Sequence, residues 1–403
     1  MRGERGKTAD EVEVVPRLTS DPGYDVAELR RTEFPWTRDT IYLNNASVGP
    51  LPERTRMALD AFNRKRAAPF QLPDRDLMTT MAASRRLAAE LIGGHEAEIA
   101  LTINTGFGLS LAARALPLRA GDIVLASDRE FPANVYPWML LKDIGVSLEL
   151  APTTAEGWPD EEHLLQRLQD PRVRVLAVSL VQFSNGYTVD LARLSAATRA
   201  SGTYLVVDAI QGLGQIPLNV RETPVDLLAC GAQKWLLSPW GSGFVYVRGD
   251  LVRELRPAIT GWMAFEGTDD FTRLTQYNDT LRGDARRFEL ITLPYQDFAG
   301  MNASLEMLLA LGIPSIRRHI GKLHAPLLAW AQRSGARVVS PVGERGSGIL
   351  CVAPRDVGTA FRALKAEHIV CSMREGAIRL SPHAYNTLDE MERVVSVLEK
   401  SQS

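Results

Sequence analysis

The chain has 403 residues, 45% of them hydrophobic and 23% charged, with a formal net charge of -2 at pH 7. That length allows two domains and a large core, and a near-neutral charge gives no reason to expect a nucleic acid or an anionic membrane as partner. No apolar stretch approaches the roughly 20 residues needed to cross a bilayer.

Residues 1–22 have no apolar periodicity and are expected to form a mobile extension. The stretch from Met1 to about Pro16 is charged and lacks the apolar core of a signal peptide, so a cytoplasmic protein is expected. From about residue 85 to 250, short apolar, β-branched runs alternate with amphipathic stretches, the pattern of an α/β fold with a mostly parallel sheet. Strands are predicted over Ile99-Asn104, Asp122-Ser127, Ser147-Ala151, Val173-Val181, Tyr204-Ile210, Asp226-Ala232 and Gly243-Arg248. Helices are predicted over Phe107-Leu116, Glu161-Gln169 and Leu191-Ala200, with turns at Gly121, Gly202 and Gly249.

Beyond Gly249 the pattern changes. Gly261 to Arg287 is rich in Gly, Asp, Thr and Arg and reads as a loop. Helical patterns follow over Pro294-Leu311 and Pro314-Ser334, and strands over Gly348-Val352 and Ile378-Ser381 suggest a smaller α+β domain. The expected division is a large domain over 23–292, with 23–40 packing on the small domain, and a small domain over 293–403.

Cys230, Cys351 and Cys371 are too few and too scattered for a disulfide framework, and each lies in an apolar run as a buried thiol would. The six histidines show neither HExxH nor paired-cysteine spacing, so no metal site is expected.

One pairing carries chemistry. Val206-Val207-Asp208 is an apolar run ending in a carboxylate, and Cys230-Gly231-Ala232-Gln233-Lys234 is another ending in an amine. Two such strands would bring acid and amine to one sheet edge. A lysine can hold pyridoxal phosphate as a Schiff base, and a buried aspartate can keep the pyridine nitrogen protonated. Only seven lysines occur, and Lys234 alone is framed by apolar runs, where burial would lower its pKa. A lysine snorkelling from a strand end is the plainer reading. Asp208 calls for a cationic partner, either a pyridinium or an arginine or helix N-terminus of the protein.

Thr105-Gly106, between a strand and a helix, could cradle a phosphate or simply cap the helix. Phe131 follows a strand and could stack on a ring or belong to the core. Asn185 could touch the ring edge or form a turn, and Gln211 could bond a ring hydroxyl. Arg379 sits in an apolar strand, where its fork suits an amino acid's carboxylate or simply faces solvent on an edge.

The order of motifs resembles the class V aminotransferase family of pyridoxal-phosphate enzymes, which includes cysteine desulfurases and isopenicillin N epimerase-like proteins. The residues that carry it are Asn44-Asn45-Ala46-Ser47, Asn104-Thr105-Gly106, Glu130-Phe131-Pro132-Ala133-Asn134, Asp208-Ala209-Ile210-Gln211, Gln233-Lys234, Arg287-Phe288-Glu289 and Arg379 through Thr387. The resemblance runs from about residue 36 to the C-terminus and implies a fold type I homodimer with active sites at the subunit interface.

It also implies roles. Lys234 would be the catalytic, cofactor-linked lysine, Asp208 the pyridine partner and Gln211 the ring-hydroxyl partner. Thr105, Gly106 and Gln233 would lie on the phosphate side, Phe131 would stack on the ring and Thr292 would reach the neighbouring subunit's phosphate. Asn45 and Arg379 would bind the amino-acid substrate. Transamination is the broadest expectation, with epimerisation, racemisation or elimination as alternatives; Tyr136, Asn45, Trp262 and His383 are candidates for a second acid-base group. Desulfurases carry a nucleophilic cysteine on a mobile loop before the arginine, whereas Cys371 lies in the apolar run Ile369-Val370-Cys371. Persulfide chemistry is therefore disfavoured. A protein of this fold that binds the cofactor without turnover is the reading from another class.

Overall fold

The computed structural model describes residues 23–402, so the extension expected at 1–22 lies outside the described residues. Seven strands, β1 (Ile99–Leu101), β2 (Ile123–Ser127), β3 (Ser147–Ala151), β4 (Val173–Ser179), β5 (Tyr204–Asp208), β6 (Leu227–Gly231) and β7 (Gly243–Val247), form one sheet. Their spatial order is β1-β7-β6-β5-β4-β2-β3. Strand β7 pairs antiparallel with both β6 and β1, and all other pairs are parallel.

Side chains alternate across the sheet with a period of two. Val124, Ala126, Val175, Ala177, Val206 and Ala229 enter the core on one face, and Leu125, Leu176, Val178, Leu205, Val207 and Leu228 enter the core on the other. Because both faces are covered, the strands read as continuous apolar runs. Each fully buried Val or Leu contributes roughly 1.5–3 kcal/mol through removal from water.

The ladders are shorter than the predicted apolar runs at the ends that matter. Asn104, Val181, Ile210 and Ala232 fall outside the ladders, and the chain peels away there into loops above the C-terminal ends of β1, β4, β5 and β6. The strand order reverses between β2 and β4, and crevices form at such points. The stretch 261–287 is irregular as expected, apart from short 3-10 turns at Trp262–Ala264 and Ala285–Phe288.

Four antiparallel strands, β8 (Arg337–Val338), β9 (Leu350–Ala353), β10 (Ser372–Arg374) and β11 (Ala377–Leu380), form a second sheet in the order β10-β11-β9-β8. Its core contains Leu323, Leu327, Trp330, Val352, Ile378 and Leu398. The boundary expected at 292/293 needs correction. In helix Tyr295–Leu311, Phe298, Met301, Leu305 and Leu308 join the core of the large sheet, as do Ile316 and Ile320 of helix Ile313–Ser334; the separate small core starts at Leu323.

The segment entering the large unit also belongs to both. Ile41–Tyr42 pairs in parallel with Ile369–Val370, and upstream Tyr24 donates to Ala384 O at 3.2 Å while Arg30 pairs with Glu390 at 2.7 Å. Residues 44–50 then run back toward the large sheet.

Candidate active site

Asp208 closes β5, and Lys234 lies three residues beyond the end of β6, the strand paired with it. Asp208 is 2% exposed. Its Oδ1 accepts the Ile210 N–H at 3.0 Å, and no cation lies within ion-pair distance among the described residues. Burial pushes its pKa up to about 7, the nearby Glu130 adds to the rise, and Lys234 opposes it. A buried carboxylate in this state calls for a cationic hydrogen-bond donor.

The side chain of Lys234 is half-buried. Burial is the main cause of a pKa lowered to about 8; the Asp208 charge works against the shift and the Arg379 charge with it. Its Nζ stands 5.5 Å from the centroid of the Phe131 ring, so amine and aromatic face share one space. Phe131 is 41% exposed and packs edge-on against Phe183 at 5.2 Å, so it is not a core residue.

The lysine's backbone is held by Gly49, whose N–H donates to Gln233 O at 2.8 Å. A Cβ on Gly49 would fall 2.1 Å from Lys234 O. Only glycine permits this approach.

Helix Thr105–Ala115 starts at the same edge, its Asn104 cap accepting the Phe107 N–H at 2.8 Å. Thr105 Oγ1 accepts the Gly231 N–H at 2.8 Å, locking the helix start to the end of β6. The Thr105 hydroxyl proton stays available, and N–H groups of a first helical turn favour an anion. A Cβ on Gly106 would meet protein only at ordinary contact distances, 3.5 Å and beyond. Gln233 is half-buried beside the same edge, with its Oε1 close to Gly231.

Arg379 is 2% exposed and reaches across from β11. It donates from Nη1 to Phe183 O at 2.7 Å, from Nη2 to Ser47 Oγ at 2.7 Å and from Nε to Ser372 Oγ at 3.2 Å. Burial, with Arg374 adding, lowers its pKa to about 10, and no carboxylate pairs with it among the described residues. This is not a solvent-facing edge arginine. A buried guanidinium lacking an acid partner suits a substrate carboxylate.

Several polar residues chosen by type have hydrogen-bond partners within the protein. The amide of Asn45 donates to Ser381 O at 2.7 Å and accepts from Tyr385 OH at 2.9 Å, so it joins the N-terminal segment to the small unit. Asn185 donates to Gly157 O at 3.0 Å and accepts the Tyr187 N–H at 2.9 Å, the turn role. Gln211 donates to Ala46 O and accepts from Trp235 Nε1, at 2.9 and 2.8 Å, which leaves one amide hydrogen for any ligand.

His383 is fully buried, with Nδ1 accepting the Ala384 N–H at 2.7 Å and Nε2 facing Trp235 O at 3.0 Å. Burial lowers its pKa to about 4, so it is a neutral structural histidine and not an acid-base group. Tyr136 and Trp262 are exposed, at 63% and 44%, and Thr292 is exposed on its own chain. Cys371 is half-buried, less enclosed than expected, with its thiol pushed up by burial to about 12.

Residue-by-residue reading gave no role to Glu130, Ser47 or Phe183. Glu130 is buried and accepts from the Ser179 N–H at 2.9 Å, from Gln182 Nε2 at 2.7 Å, from Asn134 Nδ2 at 3.3 Å and from the Ser179 hydroxyl. Burial outweighs these donors and raises its pKa. The available signal was position: a carboxylate directly before Phe131, in a loop at the reversal point of the sheet.

These residues fit pyridoxal phosphate. The uncompensated Asp208 suits a pyridinium N–H, the depressed Lys234 amine suits an aldehyde, the Thr105–Gly106 helix start suits a phosphate and the Phe131 face suits a ring.

The sequence profile of the family described as Aminotransferase class-V matches residues 41–394. An uncharacterised aminotransferase of Bacillus subtilis is 29% identical over 77% of this chain and 81% of its own. A probable cysteine desulfurase of Methanothermobacter thermautotrophicus is 26% identical, covering 92% and 96%, and the isopenicillin N epimerase of Streptomyces clavuligerus is 26% identical, covering 89% and 94%. Among solved structures, C-DES with glycine covalently linked to its PLP cofactor superposes with a TM-score of 0.83 at 21% identity, over 92% of this chain and 98% of that one. The profile match, spanning most of the chain and every residue of the Asp208, Lys234 and Arg379 constellation, establishes that the chain belongs to the class-V aminotransferase family.

Proposed function

We propose that this protein is a pyridoxal-phosphate-dependent enzyme acting at Cα of an amino acid, with transamination as its reaction. The observation that carries the reading is the convergence of three buried or half-buried groups at one sheet edge, each without an ion-pair partner among the described residues: the Asp208 carboxylate, the Lys234 amine and the Arg379 guanidinium. When bound, pyridoxal phosphate supplies an aldehyde that condenses with amines and a ring that accepts the electron pair left at Cα.

The protein's own residues do the rest. Lys234, with a pKa of about 8, is partly neutral near pH 7 and so can act as a nucleophile and then take and return a proton at Cα. Asp208 holds a proton on the pyridine nitrogen. Arg379 fixes the substrate carboxylate and thereby the direction of the Cα–H bond. Phe131 covers one ring face and excludes water, while Thr105, Gly106 and Gln233 hold the phosphate.

Two features support transamination over persulfide chemistry. The segment before Arg379 is a tight hairpin with the two-residue turn Glu375–Gly376, too short for a swinging cysteine loop. The thiol of Cys371 is also strongly disfavoured as a thiolate. The likeness to isopenicillin N epimerase favours epimerisation as the second reading. A cytoplasmic homodimer, with Thr292 of each protomer serving the other's phosphate site, completes the proposal; all three cysteines are free thiols.

The test is direct. Borohydride reduction of the yellow holoprotein is expected to fix the cofactor on Lys234, located by peptide mapping. Incubation with a panel of amino acids should then give keto acid and pyridoxamine phosphate. The opposite enantiomer would favour the epimerase, released sulfide the desulfurase, and no product with any amino acid a protein without turnover.

A further inference from the structure

Arg379 has a companion. In the β10–β11 hairpin, Ser372 lies opposite Arg379 and Arg374 opposite Ala377. Side chains two apart on a strand share a face, so Arg374 and Arg379 project from one side of the hairpin while Met373 and Ile378 take the other. The bond from Arg379 Nε to Ser372 Oγ identifies that side as the one facing the site. Arg379 sits deep, and Arg374 is half-buried toward the turn.

Arg374 makes one hydrogen bond, from Nη1 to the Met373 carbonyl at 2.7 Å, and pairs with no acid among the described residues. Its positive charge acts on both Arg379 and Lys234, so the two guanidinium groups and the amine share one electrostatic neighbourhood. The carboxylates on this side do not balance them. Asp208 faces the place for a pyridinium, and Glu130 is enclosed by donors from Ser179, Gln182 and Asn134.

A substrate's Cα carboxylate satisfies Arg379 and leaves Arg374 uncompensated. We infer that the substrate is an acidic amino acid, whose side-chain anion pairs with Arg374 while its Cα carboxylate pairs with Arg379. The inference rests on the proposed function and adds the class of substrate to it.

The test compares acids with their amides on the holoenzyme: aspartate with asparagine, and glutamate with glutamine, following the cofactor spectrum in single turnovers. For at least one pair, the acid is expected to exceed the amide in kcat/KM by about 10- to 100-fold, the range for a charge-assisted hydrogen bond. Arg374→Gln should bring that ratio toward one, and Arg374→Lys should restore part of it. Amides reacting as well as acids in the wild type would overturn the inference and leave the proposed function standing. So would a ratio unchanged in Arg374→Gln, whether both substrates lose equally because Arg374 shares the Cα carboxylate or neither loses because it is solvated. A wild-type cofactor spectrum that responds to no amino acid would overturn both.

Discussion

The Ser47 hydroxyl accepts a 2.7 Å hydrogen bond from Arg379 Nη2, joining a residue near the start of the fold to one near its end. Ser47 is placed there by its neighbours, since Asn45 is clamped between Ser381 and Tyr385 and the Ala46 carbonyl takes the Gln211 amide. The guanidinium is thus aimed from two units at once. Ser47→Ala is expected to lower kcat/KM for the amino-acid substrate by about tenfold, mainly through KM, because Arg379 keeps its other two bonds. Steady-state kinetics check this, and an unchanged KM would show that Ser47 does not orient Arg379.

Gly49 gives a steric test of how the lysine is placed. Gly49→Ala would drive a methyl group to 2.1 Å from Lys234 O, so backbone must move. Expected are a loss of about 1–3 kcal/mol in stability, typical of overpacking, and a much larger fractional loss of turnover than of cofactor binding. Denaturant melts, cofactor titration and kinetics on one preparation separate the three.

The two central groups set opposite pH dependences in the cofactor-free protein. Asp208 has its folded pKa raised to about 7 from 3.8, so between those values the folded state binds more protons than the unfolded one. Its contribution to stability is full below about pH 4 and is lost as pH rises through 7. Lys234 has its folded pKa lowered from 10.5 to about 8, so its contribution is full above about pH 10 and is lost as pH falls through 8. Asp208→Asn is expected to flatten the apoprotein's stability curve between pH 4 and 7, as read by urea unfolding at each pH.

The same variant reports on the amine. Addition of pyridoxal phosphate to Lys234 in the apoprotein should speed up from pH 7 to 9 with a midpoint near 8. Because the Asp208 charge raises the Lys234 pKa, Asp208→Asn should move that midpoint downward. Stopped-flow absorbance measures it, and a midpoint that moves upward would contradict the assigned coupling.

Cys371→Ser is expected to leave amino-acid turnover within about twofold, since a thiol with its pKa near 12 supplies almost no thiolate at neutral pH. Loss of cysteine-derived sulfide release in this variant would instead assign the thiol a persulfide role.

Much of this was legible from residue order. The seven apolar runs of the large sheet became its seven strands, within one or two residues at most ends, because a strand covered on both faces has no polar positions to blur it. The helices Glu53–Ala67 and Asp74–Ile92 were not read as such; the first buries only Thr55 and Phe62, so its composition looks like solvated chain. The Asp208–Lys234 pairing was legible because a charge closing an apolar run needs an explanation that a surface charge does not.

What the sequence alone determined is therefore the sheet, the family and the acid and amine at its edge, all of which follow from periodic burial and from charges that violate it. Which polar side chains are free to act was decided only by tertiary structure. Asn45, Asn185 and His383 have the right chemistry but spend it on partners such as Ser381, Gly157 and Trp235, distant in the chain, while Ser47 and Arg374 gain a role from where a β-strand register and a chain crossing place them. Hydrogen-bonding capacity is a property of a residue type, but whether it is already satisfied depends on contacts between segments far apart in the chain.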